Sequence, residues 1–264
     1  MLLAAGVGSR LGIDEPKSLQ QIGPIGRDDP SPTTLLARQV ALLQEAGVRE
    51  IAVTVGYRQQ AVREHLADAG VTFVENERER IASSGTADSF GFAVDSAFDA
   101  LDGRKPCLLM DADLVYERRV LETALQEERA ESHVLVARAT GGDDEEVRVY
   151  AEADRPRLIG KGLAGALVAP LTLLGEATGI VRFEPADHAL VRDALAWLRG
   201  PRSPRGIASE HEELSQLMMA LDRMSAVVLA ADCLFSEVDF ERDLARVREE
   251  IYPRVLERDA TLGR

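Results

Sequence analysis

The sequence predicts an α/β layered fold on three observations. Segments with strand and helix periodicity alternate along most of the chain. A first strand, residues 2–5, runs straight into the glycine-rich turn Gly6-Val7-Gly8. A continuous apolar run at 107–110 reads as a central strand covered on both faces, and it ends in two acids, Asp111 and Asp113.

The elements follow in order. Residues 33–46 predict a helix: Thr33 or Thr34 caps it, Leu36, Val40 and Leu43 line one face, and Gly47 ends it. A strand is expected at 50–56, a helix at 59–69, a strand at 71–75 and a helix at 89–101. After the central strand come a helix at 118–129 and a strand at 133–139. The pattern then changes. Residues 141–178 hold an acidic, hairpin-like stretch, several glycines and short apolar pieces, and residues 180–225 hold a strand and two helices around the turn-rich 200–206. We read 141–225 as an acceptor-binding or lid section within a single domain of residues 1–264. A last strand at 226–231 precedes a long helix that starts near Phe240 and runs to Tyr252-Pro253. Residues 23–32 read as a long loop, and Trp197, on an amphipathic helix, as core.

Composition narrows the function. With 45% hydrophobic and 29% charged residues, a chain of 264 residues is globular and long enough for a full sheet with helices on both faces. No apolar run reaches the length of a membrane span and no signal peptide is evident, so no membrane partner and a cytoplasmic location are expected. Cys107 and Cys233 read as small core residues rather than a disulfide. The net charge of −14 argues against a nucleic-acid partner, because phosphate backbones need clustered cations. For the same reason a small phosphorylated ligand needs local cations, and a metal, to overcome the general field. Of 31 basic residues only Lys17, Lys105 and Lys161 are lysine. Where arginine is so favoured, a retained ammonium points to a specific need at Lys17 and Lys161, since the two cations are not equivalent. Lys105, beside Pro106, reads as solvated.

The opening loop carries the chemistry. Without a Cβ at Gly6 and Gly8 the backbone turns sharply and approaches a ligand closely. Its exposed N–H groups suit a chain of phosphates, and Arg10 and Lys17 add full charges. No G-x-x-x-x-G-K-[ST] string is present, which excludes a P-loop. A dinucleotide fingerprint fails because the third glycine, Gly12, is one place late and Pro16 would break the helix. Leu3, Ala5, Gly6, Gly8, Arg10, Leu11, Pro16, Lys17 and Leu19 instead match L-x-A-G-x-G-x-R-[LM]…P-K-x-L. This pattern resembles the signature of the sugar-phosphate and alcohol-phosphate nucleotidyltransferases.

Asp111 and Asp113 sit at i and i+2 at the carboxyl end of a buried strand, where open α/β sheets bind ligands. Adjacent carboxylates need a shared cation, and Mg²⁺ takes one or two carboxylates plus phosphate oxygens. The other reading is a polar strand end that caps a helix. By the resemblance, Asp113 matches the family's metal-binding Asp. Residues 235–244, Phe-Ser-Glu237-Val-Asp239-Phe-Glu-Arg-Asp243-Leu, resemble the E-[IV]-D-x-x-x-D-[LY] string of phosphocholine-type cytidylyltransferases. There the residue matching Asp239 supplies the second metal carboxylate. Physically the same string also suits a helix start, with Asp239 as cap and Asp243 in the first turn. Ser84-Gly85-Thr86 resembles the turn that reads a pyrimidine edge, although Ser84 and Asp88 also suit plain N-caps. Lys161 lies where the family often has a lysine on the acceptor phosphate, and Gly175-Glu176-Ala-Thr-Gly179-Ile resembles its acceptor-pocket element. Glu210 and Glu213, at a helix start, would either suit a cationic amine on the acceptor or simply cap the helix.

The resemblance implies a Rossmann-like three-layer sandwich with a mostly parallel mixed sheet, of the nucleotide-diphospho-sugar transferase type, and a small lid insertion. It implies a Mg²⁺-dependent enzyme that transfers CMP from CTP, or a nucleotidyl group from another NTP, to a small phosphate or phosphonate acceptor and releases pyrophosphate. Arg10, Lys17 and Lys161 would be catalytic, and Asp113 and Asp239 would hold the metal. Leu3, Ala5, Gly6, Gly8, Ser9, Arg10 and Lys17 would bind the nucleotide, joined by Ser84, Gly85, Thr86 and Asp111. Lys161, Glu176, Glu210, Glu213 and Glu237 would bind the acceptor. A sugar-1-phosphate uridylyl- or thymidylyltransferase, and a non-catalytic nucleotide-binding protein of the same fold, are the alternatives.

Overall fold

The computed structural model describes residues 1–79, 81–126, 131–138 and 146–262. The chain opens with β1 (Leu2–Ala4), followed by β2 (Gln21–Pro24) and β3 (Pro32–Thr34), an antiparallel ribbon. Next come α1 (Leu35–Glu45), β4 (Ala52–Val55), α2 (Gln59–His65), β5 (Thr72–Glu75) and α3 (Thr86–Asp95). Then follow β6 (Cys107–Asp111), β7 (Leu114–Tyr116), α4 (Arg118–Gln126), β8 (Ser132–Ala137), β9 (Arg148–Glu152) and β10 (Arg155–Gly160). The remainder is α5 (Gly165–Val168), β11 (Thr172–Phe183), α6 (His188–Leu198), α7 (His211–Ala220), β12 (Met224–Val228), β13 (Phe235–Glu237), α8 (Glu241–Arg246) and α9 (Tyr252–Leu262).

The chain divides into two compact units. The first comprises Met1–Ala82, Asp111–Gln126 and Asp232–Arg264. Its sheet is parallel: β1 pairs with β4, and β4 with β5, with Leu3 opposite Thr54 and Val53 opposite Phe73. Leu36, Val40 and Leu43 of α1 are buried as their spacing requires, and the Thr34 hydroxyl accepts the Ala37 N–H at 3.2 Å to cap the helix. A short antiparallel ribbon joins β7 to β13 and sets Glu237 opposite Leu114. Leu11, Ile22, Leu35, Val115, Val238, Leu244 and Tyr252 form the core beneath α8 and α9. Burying these side chains is worth about 1.5–3 kcal/mol each before ordering costs. It fixes the loops on either end of the β7–β13 ribbon.

The second unit comprises Ser83–Met110 and Glu127–Ala231. The long strand β11 is antiparallel to β6, β8 and β9, and β12 lies parallel to β8. β9 and β10 form a hairpin. Phe90 of α3 stacks on Phe183, with ring centroids 5.6 Å apart.

The mixed α/β sheet with flanking helices that the sequence predicts is present. Several boundaries move for identifiable reasons. α3 starts at Thr86, not at residue 89, because Gly85 is extended and serves as the N-cap. The expected loop 23–32 is largely the tip of the β2–β3 ribbon. The C-terminal helix does not stop at Tyr252-Pro253. Residues Val247–Ile251 widen into a π turn just before Pro253, where the looser turn accommodates the proline ring and its missing N–H, and the helix continues as α9. Trp197 is 45% exposed, because the buried stripe of α6 is His188, Val191, Leu195 and Leu198. Cys233 lies in a turn before β13, while Cys107 is buried in β6. Residues 139–145, with the acids 143–145 of the expected hairpin-like stretch, lie outside the described residues. Among the described residues no helix is long and apolar enough to cross a membrane.

Candidate active site

The first unit assembles a charged cluster from three stretches of chain. β1 delivers the glycine turn. Leu3 and Ala5 are buried, and their carbonyls accept the N–H groups of Ala112 (3.3 Å) and Tyr57 (3.0 Å), so these two residues anchor the turn through the sheet. Gly8 has φ +61°, and a Cβ there would stand 2.9 Å from the Lys17 Cβ. Only glycine meets both demands. Gly6 differs: its φ is ordinary, and a Cβ built on it meets nothing within 4 Å. Ser9, Arg10 and Leu11 form a single 3-10 turn, with Ser9 exposed. Asp14 accepts from the Tyr57 hydroxyl at 2.9 Å and from Arg58, tethering the far end of the loop.

The acids come from the ribbon. Asp111 closes β6, but Asp113 lies in the turn before β7, so the two are not alternate residues of one strand as expected. The Val238 N–H donates to the Asp113 carbonyl at 3.1 Å, continuing the β7–β13 register. That bond brings Asp113 beside Asp239, and Glu237, two places earlier on the extended chain, points the same way. Ligand oxygens of Asp113, Glu237 and Asp239 all lie within 4.8 Å of one another. Glu237 was expected at the acceptor; the structure puts it in the carboxylate cluster. The clue in the sequence was its i, i+2 spacing from Asp239.

Lys17 closes the group. Its Nζ is 2.6 Å from Asp113 Oδ2 and 2.8 Å from Asp239 Oδ1, and only 13% of its side chain is exposed. Burial opposes the ammonium's charge, but Asp113 and Asp239 outweigh it and hold Lys17 firmly protonated. Arg10 Nη2 lies 3.4 Å from Asp239 Oδ1, with its guanidinium 5.6 Å above the Phe240 ring. Sequence reasoning missed Phe240 as a support for Arg10. Burial pushes the Glu237 carboxyl up to about 9, helped by the charges of Asp113, Asp239 and Asp111 and opposed by Lys17. Asp111 therefore contributes to the field of the cluster.

The residues fit a hard divalent ion. The donor set is all oxygen, which suits Mg²⁺, Mn²⁺ or Ca²⁺. Asp113 Oδ1 is buried and, among the described residues, has no hydrogen-bond partner. An oriented carboxylate oxygen of that kind is costly unless a cation meets it.

In the second unit, Gly85 packs against the Ile207–Ser209 backbone. Its N–H donates to the Ile207 carbonyl at 2.7 Å, and a Cβ would lie 2.1 Å from the Ser209 carbonyl oxygen. Glu210 accepts both the N–H and the hydroxyl of Thr86 at 2.7 Å, and Glu213 accepts the Glu210 N–H at 2.7 Å. Glu210, a candidate for the acceptor, thus ties α7 to the start of α3, and Glu213 closes the capping box of α7. Ser84 donates to the buried Asp88 at 2.9 Å, and Asp88 also accepts from Arg199 at 2.9 Å. Across β10, β9 and β11, Gly160, Arg148 and Glu176 stand in register, so Lys161 lies one residue beyond the row that contains Glu176.

Residues 1–214 match the family described as the MobA-like NTP transferase domain. The chain belongs to this family. No curated protein sequence matches it. Solved structures share the fold at low identity. A CTP:phosphocholine cytidylyltransferase from Streptococcus pneumoniae matches at TM-score 0.69 and 16% identity, over 94% of this chain and 96% of that one. An inositol-1-phosphate CTP transferase from T. maritima matches at TM-score 0.66 and 19% identity, over 95% and 96%. A protein assigned as a glucose-1-phosphate thymidylyltransferase from Bacillus anthracis, bound to a sucrose, matches at 0.67 and 16%, over 94% and 92%. By its family this chain is an NTP transferase, an enzyme of the nucleotidyltransferase type.

Proposed function

We propose that this NTP transferase moves CMP from CTP to a small phosphate or phosphonate acceptor, with Mg²⁺ held by Asp113 and Asp239. The convergence of Lys17 and Arg10 on the Asp113–Glu237–Asp239 cluster carries the reading. It supports one place where phosphate-binding cations and metal-binding carboxylates act together. The Glu237-Val238-Asp239 string supports the choice of CTP, as do two neighbours whose names specify CTP.

In this mechanism an acceptor oxygen, already anionic, forms a bond to the α-phosphorus. The bond from that phosphorus to the bridging oxygen breaks, and pyrophosphate leaves. No general base is needed, so alignment and charge neutralisation do the work. Arg10 and Lys17 hold the triphosphate and take up charge on the leaving group. Backbone N–H groups of the glycine turn are the candidates to meet the phosphates, and open space at Gly6 supports a close backbone approach. A bound Mg²⁺ would neutralise oxygens of the α-phosphate. Ser84, Gly85 and Thr86 are the candidates for the base, and Lys161 with Glu176 for the acceptor phosphate.

Pyrophosphate release with each of four NTPs, against a panel of small phosphates and phosphonates, tests the reading. CTP-selective release with at least one of them is the expected result. Selectivity for dTTP or UTP with a sugar 1-phosphate would replace it with the reading that the thymidylyltransferase neighbour supports.

A further inference from the structure

Lys17 occupies the oxygens that a metal would need. Its Nζ touches Asp113 Oδ2 and Asp239 Oδ1, and its side chain is more enclosed than that of Asp113 and about as enclosed as that of Asp239. Carboxyl groups this close need a proton or a cation among them, and Lys17 sits directly between Asp113 and Asp239. Its base is fixed, since Lys17 Cβ packs against the Gly8 backbone, 2.9 Å from where a Cβ would be. Its outer stem is a flexible chain carrying a point charge, which can change partners without moving the loop. Arg10, half exposed and stacked over Phe240, only flanks the cluster.

We propose that Lys17 is a built-in counter-ion: its ammonium fills the carboxylate cluster until a divalent cation displaces it onto the nucleotide's phosphates. This rests on the metal reading of Asp113 and Asp239 given above. Free metal must then compete with an ammonium tethered inside its own site. A metal that arrives with a triphosphate offers the displaced Lys17 a new anion, so ion and nucleotide bind with positive coupling. A site closed by its own side chain for about nine-tenths of the time binds about tenfold more weakly than an open one.

Mn²⁺ titration of the full-length protein without nucleotide, by calorimetry or by the electron paramagnetic resonance of the free ion, measures this competition. Lys17→Met should bind Mn²⁺ about tenfold or more tightly than wild type. Arg10→Met, which deletes a charge at the rim without emptying the cluster, should gain clearly less. Equal gains in the two variants, or no gain in Lys17→Met, overturn the proposal. Wild-type protein supplies a second measurement that does not depend on a variant folding. With only three lysines in the chain, acetylation followed by mass spectrometry resolves each amine, and exposed Lys105 serves as the internal standard. Added Mg²⁺ should speed acetylation of Lys17 relative to Lys105; an unchanged or slower rate overturns the proposal. Asp113→Asn separates the two levels. If it leaves Mn²⁺ binding unchanged, the ion does not use this cluster and the metal reading itself fails. If it weakens binding while Lys17→Met gains nothing, only the counter-ion role fails.

Discussion

Asp243 caps the helix that Asp239 introduces: its Oδ2 accepts the Asp239 N–H at 3.1 Å and the Phe240 N–H at 2.8 Å. The carboxylate of Asp239 is therefore not spent on its own helix and faces Lys17. On the proposed mechanism the two aspartates, four residues apart, divide the structural and the chemical task between them. Asp243→Ala should cost about 1 kcal/mol of stability, the usual worth of a lost cap. It should also lower kcat, because Asp239 loses the bond that sets its backbone. Thermal unfolding and pyrophosphate release read the two effects separately.

Asp113→Ala should reduce turnover by about 10²–10³, equivalent to roughly 3–4 kcal/mol of barrier. The fold should survive, because the change removes one of three crowded acids and leaves the β7–β13 ribbon intact. A thermal midpoint near that of wild type, together with lost pyrophosphate release, is the expected pair of results.

Glu237 makes the metal-free protein sensitive to alkali. Its folded pKa is raised, by burial first, from 4.5 to about 9. The native state thus keeps a proton that the unfolded chain releases. This contribution to stability is complete below the unfolded value and is lost as pH rises through the folded one. Without metal, the unfolding midpoint should fall between about pH 5 and pH 9 more steeply in wild type than in Glu237→Gln. Mg²⁺ should flatten the wild-type slope, since a cation favours the ionised carboxylate. Parallel slopes for the two proteins without metal would remove Glu237 as the cause.

Gly6 and Gly8 should separate under substitution. Gly8→Ala places a Cβ at positive φ and against Lys17, so it should lower both stability and activity. Gly6→Ala meets no neighbour, so its unfolding midpoint should stay close to that of wild type. Its KM for the nucleotide should rise several-fold if phosphates come close there. Steady-state kinetics beside thermal melts distinguish the two cases.

Local signals made much of this legible in the sequence. The α1 stripe of Leu36, Val40 and Leu43 and the Thr34 cap follow directly from spacing. The glycine turn with Arg10 and Lys17 is contiguous, and the apolar run ending at Asp111 marks a buried strand. What escaped depends on distant partners. Glu237 joins the metal-type cluster only because β13 pairs with β7 in one register. Glu210 became a lock because Thr86, far away in sequence, supplies the groups it binds, whereas Glu213 caps its own helix, one of the two readings its position allows. A glutamate at a helix start looks the same in sequence whether it meets a ligand or a neighbouring helix. Trp197 shows the limit of periodicity: one residue off the stripe is enough to leave a large ring in water.

The pairing of β7 with β13 also bears on biosynthesis. Asp113 gains its companions Glu237 and Asp239 only from a strand made more than a hundred residues later. While a ribosome is still translating the middle of the chain, the nascent protein has its glycine turn, Lys17 and one of the three clustered acids, Asp113, but neither of the acids that β13 brings. On the proposed mechanism, catalytic competence therefore waits for residues 237–239 to leave the ribosome.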